Sequence, residues 1–230
     1  MSPPPIKPGS RLLVVGQTGS GKTRGMIYHA VRQPLPIVIL DTKIEGAFET
    51  IPGATVSDGL DIGALYAHYD EHPDGAPVII RPLAGEYEPG RLDAFLLALY
   101  DACEHACIVI DELYSVHVGT TAGPGLTALL TRGRSRGLTV IMGAQRPRRI
   151  SLFCLSETDY YAVYRLRLLE DRARMAEAAG HPALKRETDR YFYWWVSAEG
   201  ARLMSPVPVH IVAQKQPLET PLDKPRLNMI

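Results

Sequence analysis

The chain of 230 residues holds a single asparagine, Asn228, a few residues from its end. The N-K-x-D loop by which one class of nucleotide hydrolases reads guanine therefore cannot be built. Cysteine is scarce as well: Cys103, Cys107 and Cys154 form no CxxC pair and no disulfide framework. That usage suits a reducing compartment, with Cys103 and Cys107 packing as small apolar residues. His105 lies between those two, but no second ligand pair follows at finger spacing, which argues against zinc. Net charge is absent: 25 basic residues balance 25 acidic ones. The molecule is not a polycation, so any contact with nucleic acid must come from local charge or from a ring of subunits. No apolar run approaches the ~20 residues that span a bilayer. The opening residues 1–10 are proline-rich and lack an apolar core, so they are not read as a signal peptide, and a soluble intracellular protein is expected.

What is present is concentrated at residues 16–23, Gly-Gln-Thr-Gly-Ser-Gly-Lys-Thr. Every position of a phosphate-binding P-loop is filled, an apolar run precedes it at 12–15, and a helix-compatible stretch follows, the context that gives the pattern meaning. Gly16, Gly19 and Gly21 let the backbone turn and aim its N–H groups at phosphate, together with Gln17, Thr18 and Ser20. The start of the helix adds partial positive charge at the same place. Lys22 can reach the β- and γ-phosphates, and the Thr23 hydroxyl can ligate Mg²⁺.

The length and the 46% apolar content fit one α/β domain. Apolar runs at 12–15, 36–40, 77–81, 107–110, 138–142 and 160–164 read as strands. Helical spacing at 91–105, 126–134 and 170–179 separates several of them, the alternation of a mostly parallel sheet covered on both faces. Leu92, Phe95, Leu96, Leu99 and Cys103 mark one amphipathic face. A glycine-rich loop runs from 119 to 125. A terminal hairpin pairs 191–196 with 201–204. The expected organisation is an extension at 1–10, an ATPase domain at 11–213 and a polar, proline-bearing tail at 214–230.

Asp111 and Glu112 close the 107–110 strand as a Walker B pair. The aspartate can hold Mg²⁺ through water, and the glutamate can polarise an attacking water, so hydrolysis is expected rather than transfer to a small acceptor. Gln145, at the end of the next strand, can hydrogen-bond the γ-phosphate or that water. From 113 to 156 there is no acidic residue, while Arg132, Arg134, Arg136, Arg146, Arg148 and Arg149 fall there. Phosphate contact, to a neighbour's nucleotide or to a nucleic-acid backbone, competes with a solvated basic face.

These residues resemble the FtsK–HerA superfamily of P-loop motors, which includes DNA translocases, conjugative coupling ATPases and viral genome-packaging ATPases. The block Thr131-Arg132-Gly133-Arg134-Ser135-Arg136-Gly137-Leu138, continuing to Gly143-Ala144-Gln145-Arg146-Pro147, is similar to the segment that carries a trans arginine finger about eleven residues before a sensor glutamine. The resemblance implies a RecA-like fold over roughly residues 10–180, with Arg134 as finger (Arg132 or Arg136 as alternatives) and Gln145 as sensor. Asp41-Thr42-Lys43 is similar to the D-x-K that often follows the second strand. The small size and the Arg-Pro after the glutamine look most like the compact packaging ATPases of tailless icosahedral, membrane-containing viruses. ATP and Mg²⁺ are the implied cofactors. The implied partners are double-stranded DNA read without regard to sequence, a ring of five or six copies, and a capsid vertex or membrane-associated portal proteins. The implied location is host cytoplasm or the packaging vertex of the virion. No LSGGQ-like signature of ABC-type ATPases is present. A small-molecule kinase, which would work as a monomer, and an ATP-dependent assembly factor that moves no DNA remain the competing classes.

Overall fold

In a computed structural model, residues 4–34, 36–118 and 121–208 are described. The tail expected at 214–230, the first three residues of the N-terminal extension and the first two of the glycine-rich loop lie outside them. The elements run in the order β1 (Arg11–Val15), α1 (Lys22–Ala30), β2 (Ile37–Leu40), β3 (Thr55–Asp58), α2 (Ile62–Glu71), β4 (Val78–Arg81), α3 (Pro89–Ala102) and β5 (Cys107–Ile110). Then come the two-residue β6 (His117–Val118) and β7 (Thr121–Ala122), α4 (Pro124–Arg132), β8 (Thr139–Ala144), α5 (Leu152–Ser156), β9 (Tyr160–Tyr164), α6 (Leu169–Ala178), β10 (Tyr193–Ser197) and β11 (Gly200–Met204).

The large sheet has the order β11-β10-β9-β1-β8-β5-β2-β4-β3. β9, β1, β8, β5, β2, β4 and β3 pair in parallel with their neighbours in that order, and β10 and β11 close one edge antiparallel, as the expected hairpin. Central strands of a parallel sheet are buried on both faces, which is why their sequences are unbroken apolar runs. Their side chains alternate between two cores. Leu13, Val15, Val38, Leu40, Ile108, Ile110, Val140 and Met142 face one, with Leu92, Leu96 and Leu99 of α3 and Leu126 and Leu129 of α4. Leu12, Val14, Ile37, Ile39, Cys107, Val109 and Ile141 face the other, with Met26 and Ile27 of α1. The α/β class and the helix-flanked sheet expected from the sequence are observed.

Element ends differ by a few residues from the expectations. The helix expected at 91–105 starts at Pro89, with proline in its first turn, and stops at Ala102, because Cys103 turns extended at φ −104°, ψ 140°; His105 then adopts a left-handed φ of 51°. The helix expected at 126–134 runs from Pro124 to Arg132 and tightens into a 3-10 turn over Gly133–Arg136. Both carboxylate oxygens of buried Asp93 on α3 accept N–H groups from the first turn of α4, Gly125 and Leu126, at 2.9 Å each. These satisfy donors that a helix start leaves orphaned and complement its dipole. An added Cβ at Gly125 would strike the Asp93 backbone oxygen, so only glycine lets α3 and α4 pack this closely. Cys103, Cys107 and Cys154 are free and buried, and no cluster able to hold a metal through three His, Cys, Asp or Glu side chains occurs among the described residues. No helix among them is long and apolar enough to cross a membrane.

Candidate nucleotide site

The carboxyl ends of β1, β8, β5 and β2 lie side by side and carry every residue singled out for chemistry except Arg132, Arg134 and Arg136, which precede β8. β8 stands between the P-loop strand and the Asp111–Glu112 strand. Neighbouring strands are about 4.8 Å apart, so the two motifs face each other across roughly 10 Å, room for a terminal phosphate and a water. Val15 pairs with Ala144 and Ile110 with Met142, which sets Gln145 in the middle of that gap. Sequence spacing alone could not show this insertion.

Residues 16–23 form the loop between β1 and α1. Gly21, at φ 100°, is the N-cap of α1 and provides no side-chain hydrogen bond, so the first N–H groups of the helix remain open to an anion. Gly19 also has a left-handed φ, 73°. A cavity of about 610 Å³ adjoins the loop and is lined by Gln17, Thr18, Gly19, Gly21, Lys22 and Thr23, with Gln145 at one side. The Thr18 hydroxyl donates to Gln145 Oε1 at 3.4 Å. The cavity extends to Tyr164, Arg190, Tyr191 and Val207. Arg190 and Tyr191 escaped the sequence reading as site residues. Tyr191 was expected to open the 191–196 strand of the hairpin; instead that strand starts at Tyr193, and Tyr191 takes a left-handed φ of 69° and lines the cavity beside Arg190.

Lys22 is buried, and burial, helped by the nearby Lys43 charge, lowers its ammonium to a pKa of about 8. A phosphate anion would restore that proton. Triphosphate affinity should therefore be level just below pH 8 and fall above it, approaching about tenfold per pH unit as binding comes to require uptake of a proton. Calorimetry in buffers of different ionisation heat checks the sign. Uptake should be small near pH ~7 and approach one proton near pH ~9. Flat affinity with no uptake would contradict a depressed Lys22.

Asp111 is buried, and burial raises its carboxyl pKa. Its oxygens accept the Thr42 hydroxyl at 2.6 Å and the Lys43 N–H at 3.0 Å. Thr23 and Asp111 line one small recess together with Asp41, Lys43 and Glu45. A hydroxyl and a carboxylate are hard oxygen donors that fit Mg²⁺, which characteristically fills its remaining positions with water and substrate phosphates. Glu112 Oε2 pairs with Lys43 Nζ at 2.7 Å, and Glu112 Oε1 accepts the Gln145 N–H at 3.4 Å. Gly143 permits the approach of β5: an added Cβ there would strike the Asp111 carbonyl and come within 2.8 Å of Met26 Sδ.

Arg134 lies at the opposite end of the sheet. Its guanidinium pairs with Asp159 at 2.8 Å, and its side chain is 60% exposed. Arg136 donates to the Asp101 and Cys103 carbonyls at the end of α3, which commits it to capping that helix. Arg132 is exposed and stacks over Tyr100 at 5.1 Å. The other basic group falls after Gln145. Arg146 pairs with Glu170 and Asp171, Arg148 pairs with Glu170, and Arg149 lies over the exposed Tyr114 ring at 5.5 Å.

No profile of a known protein family matches the chain. It is 27% identical over 214 residues to the DNA packaging ATPase P9 of Enterobacteria phage PRD1, an alignment covering 86% of this chain and 87% of that protein. Among solved structures, the genome packaging NTPase B204 of Sulfolobus turreted icosahedral virus 2, in complex with ATP-γS, superposes with a TM-score of 0.66 at 14% identity, covering 88% of this chain and 100% of that one. The pCW3 conjugation coupling protein TcpA superposes with a TM-score of 0.57 at 14% identity, covering 86% of this chain and 60% of that one. The resemblance drawn from the P-loop, the Walker B pair and the arginine–glutamine block is borne out by a packaging ATPase at the level of sequence and by packaging and conjugation ATPases at the level of fold.

Proposed function

We propose that this chain is an ATP hydrolase whose turnover drives double-stranded DNA, packaging a viral genome into a preformed capsid. The observation that carries the reading is the placement of Glu112 and Gln145 opposite the P-loop, in a chain that aligns over most of its length with a DNA packaging ATPase. The loop N–H groups and Lys22 bind the triphosphate, and Tyr191 offers a ring on which its base can stack. Thr23 and Asp111 hold Mg²⁺, which when bound neutralises charge on the phosphates. Glu112 takes a proton from the attacking water, and Gln145 orients that water or the γ-phosphate.

The active unit is a ring of five or six copies, in which Arg134 of one copy serves the nucleotide of the next. The ring works in host cytoplasm or at the packaging vertex, against capsid or membrane-associated portal proteins. DNA runs along basic residues of the 113–156 segment, of which Arg149 and Arg132 have no carboxylate partner among the described contacts.

Contact with phosphate rather than bases implies binding that ignores sequence and weakens steeply with salt, with a slope near −0.9 per phosphate contacted. Fluorescence anisotropy on unrelated duplexes should give equal affinities, and Arg149→Ala should reduce the salt slope by about one where that residue touches DNA. Tight, salt-resistant binding to one sequence would overturn the reading.

A further inference from the structure

The turn after β2 is built to hold one side chain. Asp41, 1% exposed, accepts the Ile44 N–H at 3.0 Å and the Arg81 guanidinium at 3.2 Å. The Thr42 hydroxyl and the Lys43 N–H occupy the two oxygens of Asp111. Ile44 then takes a left-handed φ of 53°. A β-branched residue holds that conformation only where its surroundings over-determine it. What the turn delivers is Lys43 Nζ, 2.7 Å from Glu112 Oε2, in a pair whose side chains are 21% and 12% exposed. One residue thus bonds Asp111 through its backbone and Glu112 through its side chain.

We infer that Lys43 is the positioning residue of Glu112: the ion pair at 2.7 Å aims the carboxylate into the gap beside the P-loop and holds it there when a triphosphate arrives. The inference rests on the reading of Glu112 as the group that activates water. A γ-phosphate brings negative charge towards a carboxylate with little access to solvent. The two like charges repel, which would turn an unheld carboxylate aside. An ammonium in contact with Glu112 offsets that repulsion, and the turn that carries it is anchored to Asp111, so both acidic groups keep one geometry. The Gln145 N–H, at 3.4 Å, is too long a contact to hold Glu112 alone.

The test is steady-state ATP hydrolysis by the full chain, with Lys43→Met and Lys43→Arg. A general base contributes about 10²–10⁴-fold, and loss of its aim should lower kcat by about tenfold or more in Lys43→Met. Affinity for ATP-γS should stay within about threefold, because Lys43 acts through Glu112 and not on the nucleotide. Lys43→Arg keeps a cation able to pair with the carboxylate and should recover part of kcat. In the Glu112→Gln background, Lys43→Met should lower the residual rate no further. An unchanged or raised kcat in Lys43→Met overturns the proposal, as does an equal further loss in the Glu112→Gln background or a loss of ATP-γS affinity that matches the loss of kcat. Wild-type turnover in Glu112→Gln would overturn the reading of Glu112 and this proposal with it. An inactive Glu112→Gln beside a fully active Lys43→Met overturns this proposal alone.

Discussion

Replacing Glu112 by glutamine is expected to leave nucleotide binding intact and to lower turnover by about 10²-fold or more, the contribution of a general base. The binding groups belong to other elements: the P-loop follows β1, and the Lys22 ammonium is carried by α1. A glutamine has the same shape, and its one carbonyl oxygen can still accept from Lys43, the closer contact, while its amide NH₂ replaces the oxygen at the long 3.4 Å Gln145 contact, so the local packing changes little. It cannot take a proton from water. Lys22→Ala should behave in the opposite way, losing affinity itself, because it removes the charge that faces the β- and γ-phosphates. Equilibrium binding of ATP-γS and steady-state hydrolysis separate the two losses. Hydrolysis by Glu112→Gln at the wild-type rate would contradict the assignment of the base.

Arg134→Ala should likewise bind nucleotide normally and hydrolyse it about 10³-fold more slowly, the scale of an arginine finger. The structure places Arg134 so that a finger role would require a neighbouring chain. Arg134 contacts Gly9, before β1, and Asp159, before β9, whereas the P-loop leaves the far end of β1. The five residues of β1 separate them by about 16 Å, beyond reach of the chain's own γ-phosphate. Its ion pair with Asp159 is no obstacle. An exposed pair is worth about 0–1 kcal/mol, against the roughly 4 kcal/mol that a 10³-fold rate effect represents. Asp159 also keeps Arg11, at 3.0 Å, when Arg134 departs. Mixing Arg134→Ala with Glu112→Gln should restore activity, since some interfaces then join an intact Glu112 to an intact Arg134. Mixed rings no more active than either variant alone would contradict the assignment and leave Arg132, which like Arg134 is exposed, as the arginine to test.

Much of this was legible in the chain because its central strands are buried on both faces. Runs such as 37–40 and 107–110 have no polar interruption, and each ends at a residue placed in the site, Asp41 or Asp111. The P-loop was legible because phosphate binding by backbone dictates glycine at set positions. β3 and α2 were not legible. β3 is an edge strand with alternate residues exposed, and its sequence, Thr-Val-Ser-Asp, resembles a loop. Strand order was hidden as well: nothing local to residues 139–144 says that they lie between β1 and β5. The Lys43–Glu112 pair joins residues 69 positions apart, and the capping use of Arg136 depends on where α3 ends, so both are properties of the packing alone.

The most direct measurement of the central claim is the rate of ATP hydrolysis, at saturating ATP and Mg²⁺, with and without linear double-stranded DNA already shown to bind, using Glu112→Gln as the blank. A DNA motor should turn over several times faster on duplexes of unrelated sequence, and the blank should not respond. A wild-type rate that stays the same on bound duplex would contradict the account.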